Sequence, residues 1–203
     1  MKQYLRYYFT NNLSEYIKLF VIFIIGIIIS IIVINNSNNT EKKELKNFID
    51  SKIEIIKTNE KNETNDILKQ SFKRNIKNFM IVVFLASTII GIPFAYYLVG
   101  KKAFSIGYTI SAIFATQSKK TAIIFISSAM IIQNIFYMIS LFIVLVSGTN
   151  FIKAIIQKNK NNVKFEIFKY LTFIAIALVL LIVAVIFETY VSKKFLYIMK
   201  KYL

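Results

Sequence analysis

The chain contains no cysteine and no histidine. The first absence removes disulfides and thiol nucleophiles, and the two together remove Cys/His zinc sites and histidine general bases. No Walker, GxSxG or HExxH pattern is present. Proline occurs once, at Pro93. Acidic residues are few, ten against 26 Lys and Arg, for a net charge of +16. A surplus of that size would suit a nucleic-acid binder, but its placement does not. The polar stretch 35–78 holds ten basic and seven acidic residues, so most of the surplus lies elsewhere. It sits at the ends of apolar stretches, in pairs such as Lys101/Lys102, Lys119/Lys120, Lys193/Lys194 and Lys200/Lys201. Lysines so placed snorkel to anionic headgroups. The expected partner is the lipid bilayer, with no nucleic acid.

What the chain has in abundance is uncharged apolar sequence. Thr121–Ile152 runs for 32 residues without Lys, Arg, Asp or Glu, and Leu19–Thr40, Asn78–Gly100, Ala103–Ser118 and Tyr170–Phe187 are equally free of charge. About 20 apolar residues in a helix cross the roughly 30 Å hydrocarbon layer. Hydrophobic residues make up 56% of the chain and mean hydropathy is +0.58. These values describe an all-α, polytopic helical membrane protein with about five membrane segments. Membrane spans leave no room for a globular catalytic domain.

Along the chain, residues 1–16 form an aromatic N-terminal segment suited to the headgroup zone, and residues 17–34 the first span. Lys2, Arg6 and Lys18 before an apolar run resemble a signal sequence, but no small-x-small site follows, so an uncleaved span is expected. Residues 35–78 form a polar loop with an amphipathic helix at 40–56, Thr40 being a plausible N-cap with Glu41 in the first turn. Span two covers 79–99 and is expected to kink at Pro93. Gly100-Lys101-Lys102 reads as a tight turn into segment three, 103–117. That segment is short and rich in small residues, so it either spans or re-enters. Residues 122–148 form span four, long enough to tilt or break, 165–191 form span five, and 192–203 are a basic tail. The positive-inside rule favours the re-entrant option, with both termini on one side.

The few polar residues in apolar surroundings are the best local pointers. Gln133-Asn134 is expected near the centre of span four, either hydrogen-bonding between helices or serving a substrate or gating role. Glu188, in Phe187-Glu188-Thr189-Tyr190, closes span five as an interfacial or paired carboxylate. Glu166 and Lys169 are three apart and suited to pair. Glu166 and Glu188 are 22 residues apart, roughly 33 Å along a helix, too far to act on one bond. No catalytic residue, cofactor or metal ligand is expected, and the chain is not expected to be an enzyme. Leu45, Phe48, Ile49, Ile53 and Ile56 recur at helical spacing. Their face packs on the membrane or the bundle, or docks a partner.

The order of these features resembles the stage II sporulation protein M family. The residues that carry the likeness are Ser71-Phe72, Ile90-Gly91-Ile92-Pro93-Phe94, Gly100-Lys101, Gly107-Tyr108-Thr109, Gln133-Asn134 and Phe187-Glu188-Thr189-Tyr190. A His-Gly motif of the wider relatives, near the position of Gln133-Asn134, is absent. The resemblance implies a membrane scaffold in the mother-cell membrane at the sporulation septum. It would recruit and localise peptidoglycan hydrolases resembling stage II sporulation proteins D and P during engulfment, and cut no bond itself. It singles out Gly91, Pro93, Gly100, Gly107, Gln133, Asn134, Glu188 and Tyr190. It also gives the Leu45–Ile56 face a role in docking. The alternative is a small permease or export subunit, with Gln133-Asn134 in a polar cavity.

Overall fold

The structure, a computed structural model, describes residues 8–58, 64–129, 131–157 and 163–191. Residues 1–7 of the aromatic segment, the centre of the linker before span two, and the basic tail 192–203 lie outside the described residues. Among the described residues the regular elements are helices: α1 (Leu13–Asn35), α2 (Asn39–Thr58), α3 (Thr64–Ala86), α4 (Gly91–Thr116), α5 (Lys119–Ala129), α6 (Ile131–Ile156) and α7 (Val163–Ile186). A π-helical turn, Phe187–Val191, extends α7.

Helix α1 buries a single stripe, Glu15, Leu19, Gly26, Ser30 and Ile34. Around it Ile17, Val21, Ile24, Ile28 and Ile32 are all exposed. Water does not tolerate an apolar surface of that extent on a monomer, and lipid does. Among the described residues three helices are long and apolar enough to cross a bilayer: Leu13–Asn35, Ile131–Ile156 and Val163–Thr189. The 23 residues of α1 rise roughly 34 Å, slightly more than the hydrocarbon layer. This is an all-α membrane protein.

The most buried element is α6, whose residues from Leu141 to Thr149 are inaccessible except at Phe142. Helix α7 runs antiparallel beside it. Phe151 stacks on Tyr170 at 5.1 Å near one end of the pair, and Phe136 on Phe187 at 5.5 Å near the other. Helix α1 runs parallel to α4, because Glu15, Gly26 and Ser30 meet Tyr96, Gly100 and Gly107 in the same order. Helix α3 joins the two pairs. Ala86 lies against Gly148 of α6, and the Val83 carbonyl accepts a hydrogen bond from the Tyr170 hydroxyl at 3.0 Å.

The α3–α4 hairpin differs from the sequence expectation. The chain reverses at residues 87–90, and Gly100-Lys101-Lys102 lies inside α4. Pro93 occupies the third position of α4 rather than kinking a span. There its missing N–H is one that a helix start leaves unbonded anyway. Gly91 is what the reversal needs: a Cβ there would strike the Leu85 carbonyl and the Thr88 hydroxyl. Thr88 Oγ1 accepts a hydrogen bond from the Gly91 N–H at 3.1 Å and donates one to the Leu85 carbonyl at 3.2 Å. An exposed turn among apolar neighbours must satisfy its own backbone in this way. Helix α4 is therefore 26 residues long, so segment three is not a short separate piece. The expected span 122–148 falls on α5 and the first part of α6, which flank residue 130 outside the described residues.

The start of the first helix and the end of the last described turn also lie apart. The start of α1 and the end of α6 share one end of the bundle, through Glu15 and Lys153. The π-turn meets α3 at the other end, through Glu188 and Arg74. Residues 13 and 191 thus lie at opposite ends, contrary to the arrangement the positive-inside rule favoured. That rule counts charges between assumed turns, and one assumed turn was a lysine pair in mid-helix.

Helices α1 and α4 touch through small residues. A Cβ on Gly26 would sit 2.8 Å from the Gly100 carbonyl oxygen and 2.9 Å from Ala103 Cβ. A Cβ on Gly107 would collide with the Ser30 hydroxyl and lie 3.0 Å from Ile27 Cα. On Gly100 itself the nearest approach is to the side-chain carbon Ile22 Cγ2, at 3.3 Å, which need shift by only about a few tenths of an ångström. Small residues permit such backbone approach, and it replaces the hydrophobic drive that lipid does not supply. Gly26→Val and Gly107→Val should each destabilise the protein by about 1–3 kcal/mol through overpacking. Gly100→Ala should change the thermal midpoint in detergent far less. Equal loss in all three would contradict this contact geometry.

Candidate functional site

Polar side chains gather at the two ends of the apolar bundle. At the end where α7 finishes, the Glu188 carboxylate is 19% exposed. It accepts a hydrogen bond from Arg74 Nη2 at 2.8 Å and from Asn75 Nδ2 at 3.0 Å. Both partners come from α3, so this one carboxylate ties the end of α7 to the middle of α3. Thr189 is fully buried and back-bonds its hydroxyl to the Val185 carbonyl. Lys102 reaches the same region from α4, its amine 4.8 Å from the centroid of the Tyr137 ring on α6. There it lies within the fields of Arg74 and Glu188. Four elements therefore converge on one polar knot, held by an ion pair, an amide–carboxylate bond and a cation–π contact.

At the opposite end Glu15, 7% exposed, accepts hydrogen bonds from Lys153 Nζ at 2.8 Å, the Tyr96 hydroxyl at 3.1 Å and Lys18 Nζ at 3.3 Å. It joins α1, α4 and α6. Beside it the Asn150 amide donates to Asn12 Oδ1 at 2.8 Å and to the Tyr8 hydroxyl at 3.2 Å. Tyr8 is buried against Phe173, with ring centroids 4.1 Å apart. The N-terminal aromatics thus enter the bundle at Tyr8 instead of resting wholly among headgroups.

Gln133 and Asn134 do not lie at the centre of a span. They precede Phe136, which stacks on Phe187, and so lie toward the Glu188 end of the bundle. Gln133 Oε1 is buried without a hydrogen-bond partner among the described residues. The cavity of about 310 Å³ that reaches Asn134 is otherwise lined by apolar side chains, among them Phe20, Phe23, Ile106 and Met138. The Tyr190 side chain lies outside the described ones. Glu166 pairs with Lys169 at 3.6 Å.

The amphipathic stretch forms α2. Its cap is Asn38 rather than Thr40: the Glu41 carboxylate accepts the Asn38 backbone N–H at 3.0 Å, half of a capping box. Ile49 packs against Ile113, Ala122 and Ile126, so part of the apolar face is consumed by the protein's own helices. Asp50 accepts a hydrogen bond from Gln117 Nε2 at 2.7 Å. Leu45 is half-buried and Phe48 is 61% exposed. The side chains of Ile53 and Ile56 lie outside the described ones.

Sequence reasoning overlooked Glu15, Arg74, Asn75, Lys102 and Tyr137. Two of them carried a signal. Glu15 is the only acidic residue before Glu41, and Arg6 and Arg74 are the only arginines in a Lys-rich chain. Arginine is the cation suited to holding a carboxylate through a planar fork.

Arg74→Ala should cost about 0–1 kcal/mol, since the Arg74 side chain is 64% exposed. Glu188→Ala should cost more, about 1–3 kcal/mol, because it strips the buried Asn75 amide of its acceptor. Thermal unfolding of the single and double variants measures both costs and their coupling. A larger loss for Arg74→Ala would show that the carboxylate is not the anchor.

The profile of the family described as Stage II sporulation protein M matches residues 19–193. No curated protein and no solved structure matches the chain. The matched stretch runs from the buried Leu19 of α1 past the Glu188 knot, and so covers most of the chain. The chain belongs to the stage II sporulation protein M family and is a sporulation-related membrane protein.

Proposed function

We propose that this chain is a multi-pass scaffold in the mother-cell membrane at the sporulation septum. It recruits and localises peptidoglycan hydrolases resembling stage II sporulation proteins D and P during engulfment, and performs no bond cleavage itself. The observation that carries this is α2. That helix is seated on the bundle through Ile49 and the Asp50–Gln117 bond, while Phe48, beside them in sequence, is 61% exposed. A large aromatic that keeps most of its surface exposed on an anchored helix is the kind of residue that fills a pocket on a partner.

The polar groups support a structural role. Glu188 is engaged by Arg74 and Asn75, and Glu15 by Lys153, Lys18 and Tyr96. Carboxylates engaged in this way are spent on joining helices. A permease would be favoured by a polar cavity at Gln133-Asn134. The apolar lining around Asn134 supports the scaffold instead.

Co-purification of tagged chain with the two hydrolases from sporulating cells tests the proposal. Phe48→Asp should cut recovery of the hydrolases by about tenfold or more, as loss of an aromatic anchor does, and leave the amount of membrane-inserted chain unchanged. Undiminished recovery would remove α2 as the docking element. A deletion that leaves advance of the mother-cell membrane normal would remove the scaffold role altogether.

A further inference from the structure

The two consecutive lysines of α4 have different surroundings. Lys102 turns inward to Tyr137 and the Glu188 knot. Lys101, one helical step of about 100° away, is exposed and has no carboxylate partner among the described residues. It lines a groove of about 400 Å³ between α1 and α4. The floor of that groove is the Gly26–Gly100 contact, and its walls include Ile22, Ile25, Ile29 and Phe104. Tyr96 and Tyr97 line it as well.

Depth makes this cation unusual. Gly26 follows Glu15 by eleven residues and precedes Asn35 by nine, roughly 16 Å and 13 Å along the helix. Lys101 therefore stands beside the middle of the apolar run of α1. A bare ammonium at that level is unfavourable in hydrocarbon, and it is relieved by snorkelling, by local thinning of the bilayer or by water drawn in beside it, each of which shortens its distance to the headgroups. The groove offers apolar walls on both sides of a single cation. Its complement is a molecule with an anionic head and an apolar chain.

We propose that the α1–α4 groove is a binding site for an anionic phospholipid. Its phosphate meets Lys101, and its acyl chain lies along Ile22, Ile25 and Ile29. The site stands apart from the hydrolase-docking role proposed for α2 and survives if that role fails.

The test is lipid retention measured by native mass spectrometry on chain purified in detergent and exposed to equal amounts of phosphatidylglycerol and phosphatidylcholine. Wild type should retain phosphatidylglycerol by about fivefold over phosphatidylcholine, as expected for one lysine whose ammonium reaches the headgroup phosphate. Lys101→Met should abolish the preference and Lys101→Arg should keep it. Lys120→Met, which removes a cation outside the groove, should leave it unchanged. Equal retention of the two lipids by wild type overturns the site whatever the variants do. An equal effect of Lys120→Met overturns it in favour of bulk charge. Because the chain has no cysteine, Tyr97→Cys places a single thiol on the groove. Efficient disulfide-linked dimers in membranes would show a second copy covering it, and would also overturn the proposal.

Discussion

Polar groups in lipid must be partnered, and this chain meets that requirement by gathering its engaged charges at two levels. Tyr170, beside the Lys169–Glu166 pair, and Glu188 are 18 residues apart on one continuous helical path. That is roughly 27 Å, close to one hydrocarbon thickness. Glu15 with Lys153 marks one level and Glu188 with Arg74 the other. Between the levels the hydroxyls of Ser140 and Ser147 back-bond to carbonyls of their own helix. Cohesion there falls to shape: Gly26 on Gly100, Gly107 on Ser30, Gly148 on Ala86. Glu15 takes donors from α1, α4 and α6, and Glu188 takes two neighbouring donors from α3, so the two levels fix which helix faces meet as well as their depth. The close contacts then form where the levels put them.

Much of this was legible. Charge-free runs gave the helices, and the spacing of Leu45, Phe48 and Ile49 gave α2. Glu188 was legible as an interfacial or paired carboxylate, since a lone charge closing an apolar helix needs water or a partner, and Arg74 is that partner. The identity of that partner was not legible. Arg74 is 114 positions earlier in the chain, and pairing over that distance depends on which helices are neighbours. The same limit hid Glu15, whose partners Tyr96 and Lys153 are 81 and 138 positions away.

The misplaced turn has a plainer cause. Gly-Lys-Lys between two apolar runs has the composition of a membrane-surface connection, and Pro93 inside a run has the look of a kink. The structure assigns each the opposite role. Gly91 and Thr88 build the reversal, Pro93 starts the next helix, and Gly100 offers its carbonyl to the Gly26 contact. Glycine, proline and lysine each suit two settings, and only the neighbouring helix selects between them. Segment boundaries that rested on those residues moved, whereas α1 and α7, bounded by long apolar runs, stayed close to their expected limits.

Two levels of fixed charge also bear on what kind of membrane protein this is. A transport path needs polar groups free to exchange partners along its length, and a moving gate needs an interface with two arrangements. Here the strongest polar contacts at each end hold several helices at once, and the glycine contacts between them leave no slack for sliding. Shifting α1 against α4 by even one residue would drive a side chain into the space where Gly26 now meets Gly100 and Ala103. A bundle locked in that way suits a fixed platform. Helix α2 is seated on that platform where it meets the ends of α4 and α5, through Ile49, Ile113 and Ala122.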